Sequence, residues 1–128
     1  MGKDIVVVDD DVNMQEILEL ILQPLKIPIR QARDGVEAIN HIMKDPPLLI
    51  ILDLSMPRLD GFSVMKLIRE YEETAKIPVI IITASTLTSE EIKQLHIPES
   101  MLVRKGSESM TVVRDIVNRE LKDVLDLD

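Results

Sequence analysis

The sequence predicts an α/β fold, a doubly wound five-stranded parallel sheet in the order 2-1-3-4-5. Three observations predict it. DIVVV (residues 4–8), LLIIL (48–52) and PVIIIT (78–83) are apolar runs without polar alternation, the pattern of strands buried on both faces. The stretches between them space their apolar residues at three- and four-residue steps, as helices do. The runs end in Asp9, Asp53 and Thr83, at the carboxyl edge where open α/β sheets place their ligands. At 128 residues the chain is expected to form one domain over its whole length, 1–128, with no second domain following.

The elements follow in order. After the first strand and the acids Asp9, Asp10 and Asp11, Met14, Ile17, Leu18, Ile21, Leu22 and Leu25 mark a helix. Asn13 with Glu16 resembles its capping box, and Pro24 and Pro28 close it. Residues 29–33 alternate weakly, with Arg30 and Gln31 among apolar neighbours, as expected of an edge strand. Asp34-Gly35 turns the chain, and Asp34 with Glu37 caps a helix through Val36, Ile39, Ile42 and Met43 that stops at Asp45-Pro46-Pro47.

The central strand ends at Asp53, and a turn with Met56-Pro57 and Asp60-Gly61 leads to a third helix. Phe62, Met65 and Ile68, with the row Val64, Leu67 and Tyr71, give that helix its apolar face. The fourth strand, 78–83, ends in Thr83. Thr88-Ser89-Glu90-Glu91 forms a capping box for a short helix carrying Ile92 and Leu95, ended by Pro98. Residues 101–104 make a short fifth strand, Lys105 follows, and a last helix over about 109–125 turns Val113, Ile116, Val117, Leu121 and Val124 inward.

Composition removes several function classes. With one Phe and one Tyr, Phe62 and Tyr71, there is no stacking platform for bases. A net charge of −8 argues against binding a polyanion, so no direct contact with nucleic acid is expected. The absence of cysteine excludes disulfides, thiolate chemistry and zinc–thiolate sites. No apolar run reaches membrane-spanning length and no signal peptide is visible, so a cytoplasmic protein without a membrane role is expected.

In the predicted topology Asp9, Asp10, Asp53, Thr83 and Lys105 share one edge. Taken alone, each aspartate reads as a helix cap, Thr83 as a β-branched strand residue and Lys105 as a solvated strand end; their convergence points to a site. Two like charges ~4 Å apart repel by about 4 kcal/mol at an effective dielectric of 20, so clustered carboxylates call for a cation, and hard, oxygen-preferring Mg²⁺ suits them. The set suits attack by the Asp53 carboxylate on a phosphoryl group whose oxygens are neutralised by Mg²⁺ and Lys105 and hydrogen-bonded by Thr83.

These stretches resemble the receiver domain of two-component response regulators: VVVDD (Asp9, Asp10), ILDLSMPRLDG (Asp53, Met56, Pro57, Asp60, Gly61), IITAS (Thr83, Ala84) and VRK (Lys105). The resemblance runs from Ile5 to about Leu125 and implies a flavodoxin-like (βα)5 receiver fold like that of the chemotaxis regulators. It implies that Asp53 is the phosphoacceptor. Asp9 and Asp10 position Mg²⁺, and Asp10, Asp53 and the main-chain carbonyl of Ser55 ligate it most directly. Thr83 and Lys105 contact the phosphoryl group. A sensor histidine kinase, a phosphotransfer protein or a small phosphodonor supplies that group, and the domain itself catalyses only its own phosphorylation and dephosphorylation. Output passes to a downstream domain or protein through the face made by the fourth helix, the fifth strand and the fifth helix.

The chain departs from the family pattern at Gly106, where proline usually follows the lysine, and a trans Lys105–Gly106 peptide is expected. Leu102 stands at the aromatic switch position, and Ile97-Pro98-Glu99-Ser100 replaces the usual Ala-Gly-Ala segment. Ser55 and Ser85 occupy the positions that tune dephosphorylation. His41 and His96 read as surface residues rather than phosphoryl relays, and Arg114, Arg119 and Lys122 as a solvated face.

Rival readings stay open here. A phosphohydrolase forming an aspartyl phosphate wants a second acid two residues after the nucleophile, where this chain has Ser55. A flavodoxin-like electron carrier wants a Ser/Thr/Gly-rich phosphate loop after the first strand. A pseudo-receiver that only binds proteins would not need the intact acid set.

Overall fold

The computed structural model describes residues 2–54, 60–84, 86–106 and 109–122. Ser55, the Met56-Pro57 turn, Ser85, and Val124 and Leu125 of the expected last helix lie outside the described residues. Five strands, β1 (Ile5–Val8), β2 (Ile29–Ala32), β3 (Leu49–Asp53), β4 (Val79–Thr83) and β5 (Leu102–Arg104), alternate with five helices. These are α1 (Val12–Leu22), α2 (Gly35–Lys44), α3 (Gly61–Glu70), α4 (Ser89–Leu95) and α5 (Ser109–Glu120). The sheet has the expected order β2-β1-β3-β4-β5, every pairing is parallel, and β2 lies on an edge.

The apolar runs become central strands because a parallel sheet covered on both faces buries every residue of them. Period-two alternation then sorts each strand between two cores. Val6, Val8, Ile50, Leu52 and Ile81 face the layer of α2, α3 and α4, meeting Ala38, Ile42, Val64, Met65, Ile68 and Leu95. Ile5, Val7, Leu49, Ile51, Ile80 and Ile82 face α1 and α5, meeting Leu18, Leu22, Val113, Ile116, Val117 and Leu121. A deletion such as Ile50→Ala in either layer costs about 2–5 kcal/mol.

Local chemistry places the helix starts. Asp34 accepts from the Glu37 amide, Asp60 from Ser63, and Thr88 with Glu91 closes a reciprocal capping box. The start of α1 differs from expectation. Asp11, extended at φ −90° and ψ 111°, accepts from the Asn13 amide, so Asn13 lies inside the first turn and forms no capping box with Glu16. A carboxylate is a strong amide acceptor at the positive helix end, and it takes the cap two residues earlier. Three residues of the expected inner stripes also lie outward: Ile17 is 42% exposed, Val36 38%, and Tyr71, which leaves α3 in an extended conformation, 49%. Leu25 falls in a 3₁₀ turn, Gln23–Leu25, with Pro24 as its second residue.

At the amino edge of the sheet Arg30 donates to both carboxylate oxygens of Asp4 and to the carbonyls of His41 and Asp45, tying β2 to the end of α2. At the carboxyl edge a Cβ on Gly61 would stand 2.7 Å from the Leu54 Cα, so only glycine lets α3 begin against the end of β3. His41 lies in α2 and His96 is the left-handed C-cap of α4. The Lys105–Gly106 peptide is trans, with no cis bond among the described residues. No helix among the described residues is long and apolar enough to cross a membrane.

Candidate functional site

Strand register builds the site. Asp53 ends β3 opposite Ile82 of β4, and Thr83 ends β4 opposite Arg104 of β5. The Lys105 amide donates to the Thr83 carbonyl at 2.8 Å, which fixes where the lysine leaves the sheet. On the other side the Asp9 amide donates to the Ala32 carbonyl at 3.0 Å, continuing the β1–β2 ladder by one bond. The structure thus sets Asp9, Asp53, Thr83 and Lys105 along one edge, with Asp10 beside them. Ser55, the remaining expected ligand, lies outside the described residues.

One oxygen from each of Asp9, Asp10 and Asp53 falls within a cluster no wider than 4.8 Å. Asp9, Asp53 and Thr83 are buried, at 2% exposure each, whereas Asp10 is exposed. Lys105 Nζ reaches Asp53 Oδ2 at 3.2 Å. Burial, reinforced by the Asp53 and Asp10 charges, pushes the Asp9 carboxyl up from 3.8 to about 6, against the pull of the Asp11 amide and Lys105. Three carboxylates held this close, one of them exposed, offer only oxygen donors and fit a hard divalent cation. Bringing in such an ion would favour the ionised form of Asp9.

Gln15 is a neighbour of the site that the sequence motifs do not single out. Buried in α1, its Nε2 donates to the carbonyls of Asp9 at 2.7 Å and Ala32 at 2.9 Å, pinning the ends of β1 and β2 together. Its Oε1 has no hydrogen-bond partner among the described residues. A signal exists in the sequence: positions 15, 18 and 22 share the inward stripe of α1, so a glutamine there has to answer for its amide inside the core.

A doubly wound parallel α/β domain with three carboxylates and a lysine at its carboxyl edge defines a small class of proteins, and comparison with known sequences identifies it. The family model for the response regulator receiver domain matches residues 5–116. The chain belongs to this family, the receiver domains of two-component systems. It is 36% identical over 117 residues to the response regulator GtcR of Aneurinibacillus migulanus, covering 91% of this chain and 47% of GtcR. It is 37% identical over 95 residues to the response regulator MprA of Mycobacterium bovis, covering 74% of this chain and 40% of MprA. The chain therefore spans about half or less of the length of these curated relatives.

Solved structures agree on the fold. The receiver domain of the Francisella response regulator 1452 superposes with a TM-score of 0.80 at 28% identity, covering 96% of this chain and 99% of that one. The chemotaxis response regulator CheY4 of Vibrio cholerae superposes with a TM-score of 0.81 at 23% identity, covering 94% and 100%.

Proposed function

We propose that this domain is a phosphoacceptor switch whose Asp53 takes a phosphoryl group from a histidine kinase in a Mg²⁺-dependent reaction. The observation that carries the reading is the pairing of buried Asp53 with Lys105 at 3.2 Å inside the carboxylate cluster. Asp9, Asp10 and Asp53 would hold the Mg²⁺, with the Ser55 carbonyl as a further ligand. Bound there, the ion supplies positive charge against the transferred oxygens.

The chain's own residues account for the rest. An Asp53 carboxylate oxygen forms the new P–O bond as the P–N bond to the donor imidazole breaks, and the imidazole leaves with the electron pair of that bond. Lys105, already turned toward Asp53, pairs with a phosphoryl oxygen, and the Thr83 hydroxyl donates to another. Asp53 itself is buried, while Asp10 and part of the Lys105 side chain reach solvent. Family membership supports a sensor kinase or phosphotransfer protein as donor, and a downstream domain or protein reached through α4, β5 and α5 as receiver of the signal. Neither nucleic acid nor membrane is a direct partner in this reading.

Incubation with acetyl phosphate and Mg²⁺, followed by intact mass, tests it. One phosphoryl group should appear, be removed by hydroxylamine as an acyl phosphate is, and be absent from Asp53→Asn. Phosphate uptake by Asp53→Asn at the wild-type rate refutes the assignment.

A further inference from the structure

A cavity of about 1070 Å³, whose lining includes none of Asp9, Asp10, Asp53 or Lys105, lies between α3, the start of β4 and the end of α4. Phe62, Ile77, Ile97 and Met101 contribute its apolar lining. Lys66, Arg69 and Lys76 bring three cations to it, in a chain whose net charge is −8.

Arg69 is the informative member. Half-buried, it donates from one nitrogen, Nη1, to the carbonyls of Ala75 and Ile77, both at 2.9 Å. Among the described residues its Nε and Nη2 have no partner, and no carboxylate pairs with it. Burial alone holds its guanidinium below its ordinary pKa. Glu70 and Glu120 also line the cavity. Neither forms an ion pair with Lys66, Arg69 or Lys76 among the described residues, and Glu120 is engaged by Arg119 at 3.5 Å. A half-buried cation whose Nε and Nη2 are uncommitted to protein groups, beside an apolar wall, is placed to donate to an anion that also gains apolar contact.

We infer that this cavity binds a small organic anion, a carboxylate, phosphate or sulfonate carried on an apolar body. The guanidinium edge of Arg69, with Lys66 and Lys76, takes the charged group, and the apolar body lies against Phe62, Ile77, Ile97 and Met101. The volume lies just above the range of small-molecule sites, roughly 300–1,000 Å³. This site is independent of the Asp53 chemistry.

The test is an NMR titration in Mg²⁺-free buffer with 1-naphthalenesulfonate, an anion that cannot donate a phosphoryl group. Saturable shifts are expected at Phe62, Ile77, Ile97 and Met101. Binding should weaken about tenfold in Arg69→Met and also for the neutral analogue 1-naphthalenemethanol. Asp53→Asn should bind as the wild type does. Lys66 and Lys76 are exposed, so the double variant Lys66→Gln/Lys76→Gln keeps the fold should Arg69→Met fail to, and it too should bind more weakly. The inference is overturned by shifts that do not saturate by about 10 mM. Equal affinity in the charge variants, equal affinity for the neutral analogue, or loss of binding in Asp53→Asn overturns it too.

Discussion

The ammonium of Lys105 stands 3.2 Å from Asp53 Oδ2, and the two partners are unequally solvated: Asp53 is 2% exposed and the lysine side chain 27%. Removing the lysine takes a cation away from a buried carboxylate that has two other acids close by, whereas neutralising the aspartate leaves a lysine that still reaches water. Lys105→Met is therefore expected to cost about 1–3 kcal/mol, and less than half of that in an Asp53→Asn background. Urea unfolding of the two single variants and the double gives the coupling directly. Strict additivity would mean the pair contributes nothing.

Asp9 makes apo stability depend on pH in the unusual direction for an acid. Its carboxyl titrates at about 6 in the folded chain, against 3.8 for an unperturbed aspartate. Below the lower value both states hold the proton and there is no penalty. Between the two the unfolded chain ionises first, so folding loses stability as pH rises, and the loss is complete above about 6. Asp9→Asn keeps an oxygen for the Asp11 amide and removes the charge. It should be more stable than the wild type at neutral pH by at most about 3 kcal/mol, with the gap closing toward acid. Saturating Mg²⁺ should narrow the gap by stabilising the wild type more. Denaturation curves across this pH range check both statements; a pH-independent gap would contradict them.

Gln15 links the ends of β1 and β2 by two buried hydrogen bonds. Gln15→Met preserves length and apolar contact but withdraws both donors, at an expected cost of about 1–3 kcal/mol. Amide exchange should report the loss first at Asp9, whose N–H bonds to the same Ala32 carbonyl. A neutral substitution would show that the unpaired Oε1 already cancels what the amide gives.

The strands were legible because burial on both faces writes itself as uninterrupted apolar runs. The caps at Asp34 and Thr88 were legible because cap and amide lie three residues apart. What escaped depends on direction or on distance along the chain. Adjacent aspartates look alike in sequence, yet Asp9 is buried and Asp10 exposed. Gln15 finds its acceptors through strand pairing, with Ala32 seventeen residues away. Ile17 matched a helical stripe wider than the surface available to cover it, and Tyr71 matched one but lies just past the end of its helix.

Leu102 opens β5 opposite Ile81 and packs, half-buried, against the same apolar cluster as Leu87 and Leu95. Full burial of a leucine is worth about 1.5–3 kcal/mol, and much of that is already realised, so a swing between water and core has little to gain. It also has no hydroxyl to bond. A polar connection runs beside it: Arg104 Nη2 donates to Thr86 Oγ1 at 2.9 Å, tying β5 to the segment that leaves Thr83 for α4. A phosphoryl group can shift α4 only by contacting the two states differently, and Thr83 with Lys105 are the residues placed to do so. With Mg²⁺ and beryllofluoride, amide and methyl NMR should therefore show shifts spreading from Thr83 through Thr86 and α4, with the Leu102 methyls keeping one rotamer. Thr83→Ala should lose the distant shifts, Arg104→Ala should weaken them at β5, and Leu102→Ala should retain them. If instead Leu102→Ala abolishes the response and Thr83→Ala leaves it intact, the signal passes through the apolar side chain after all.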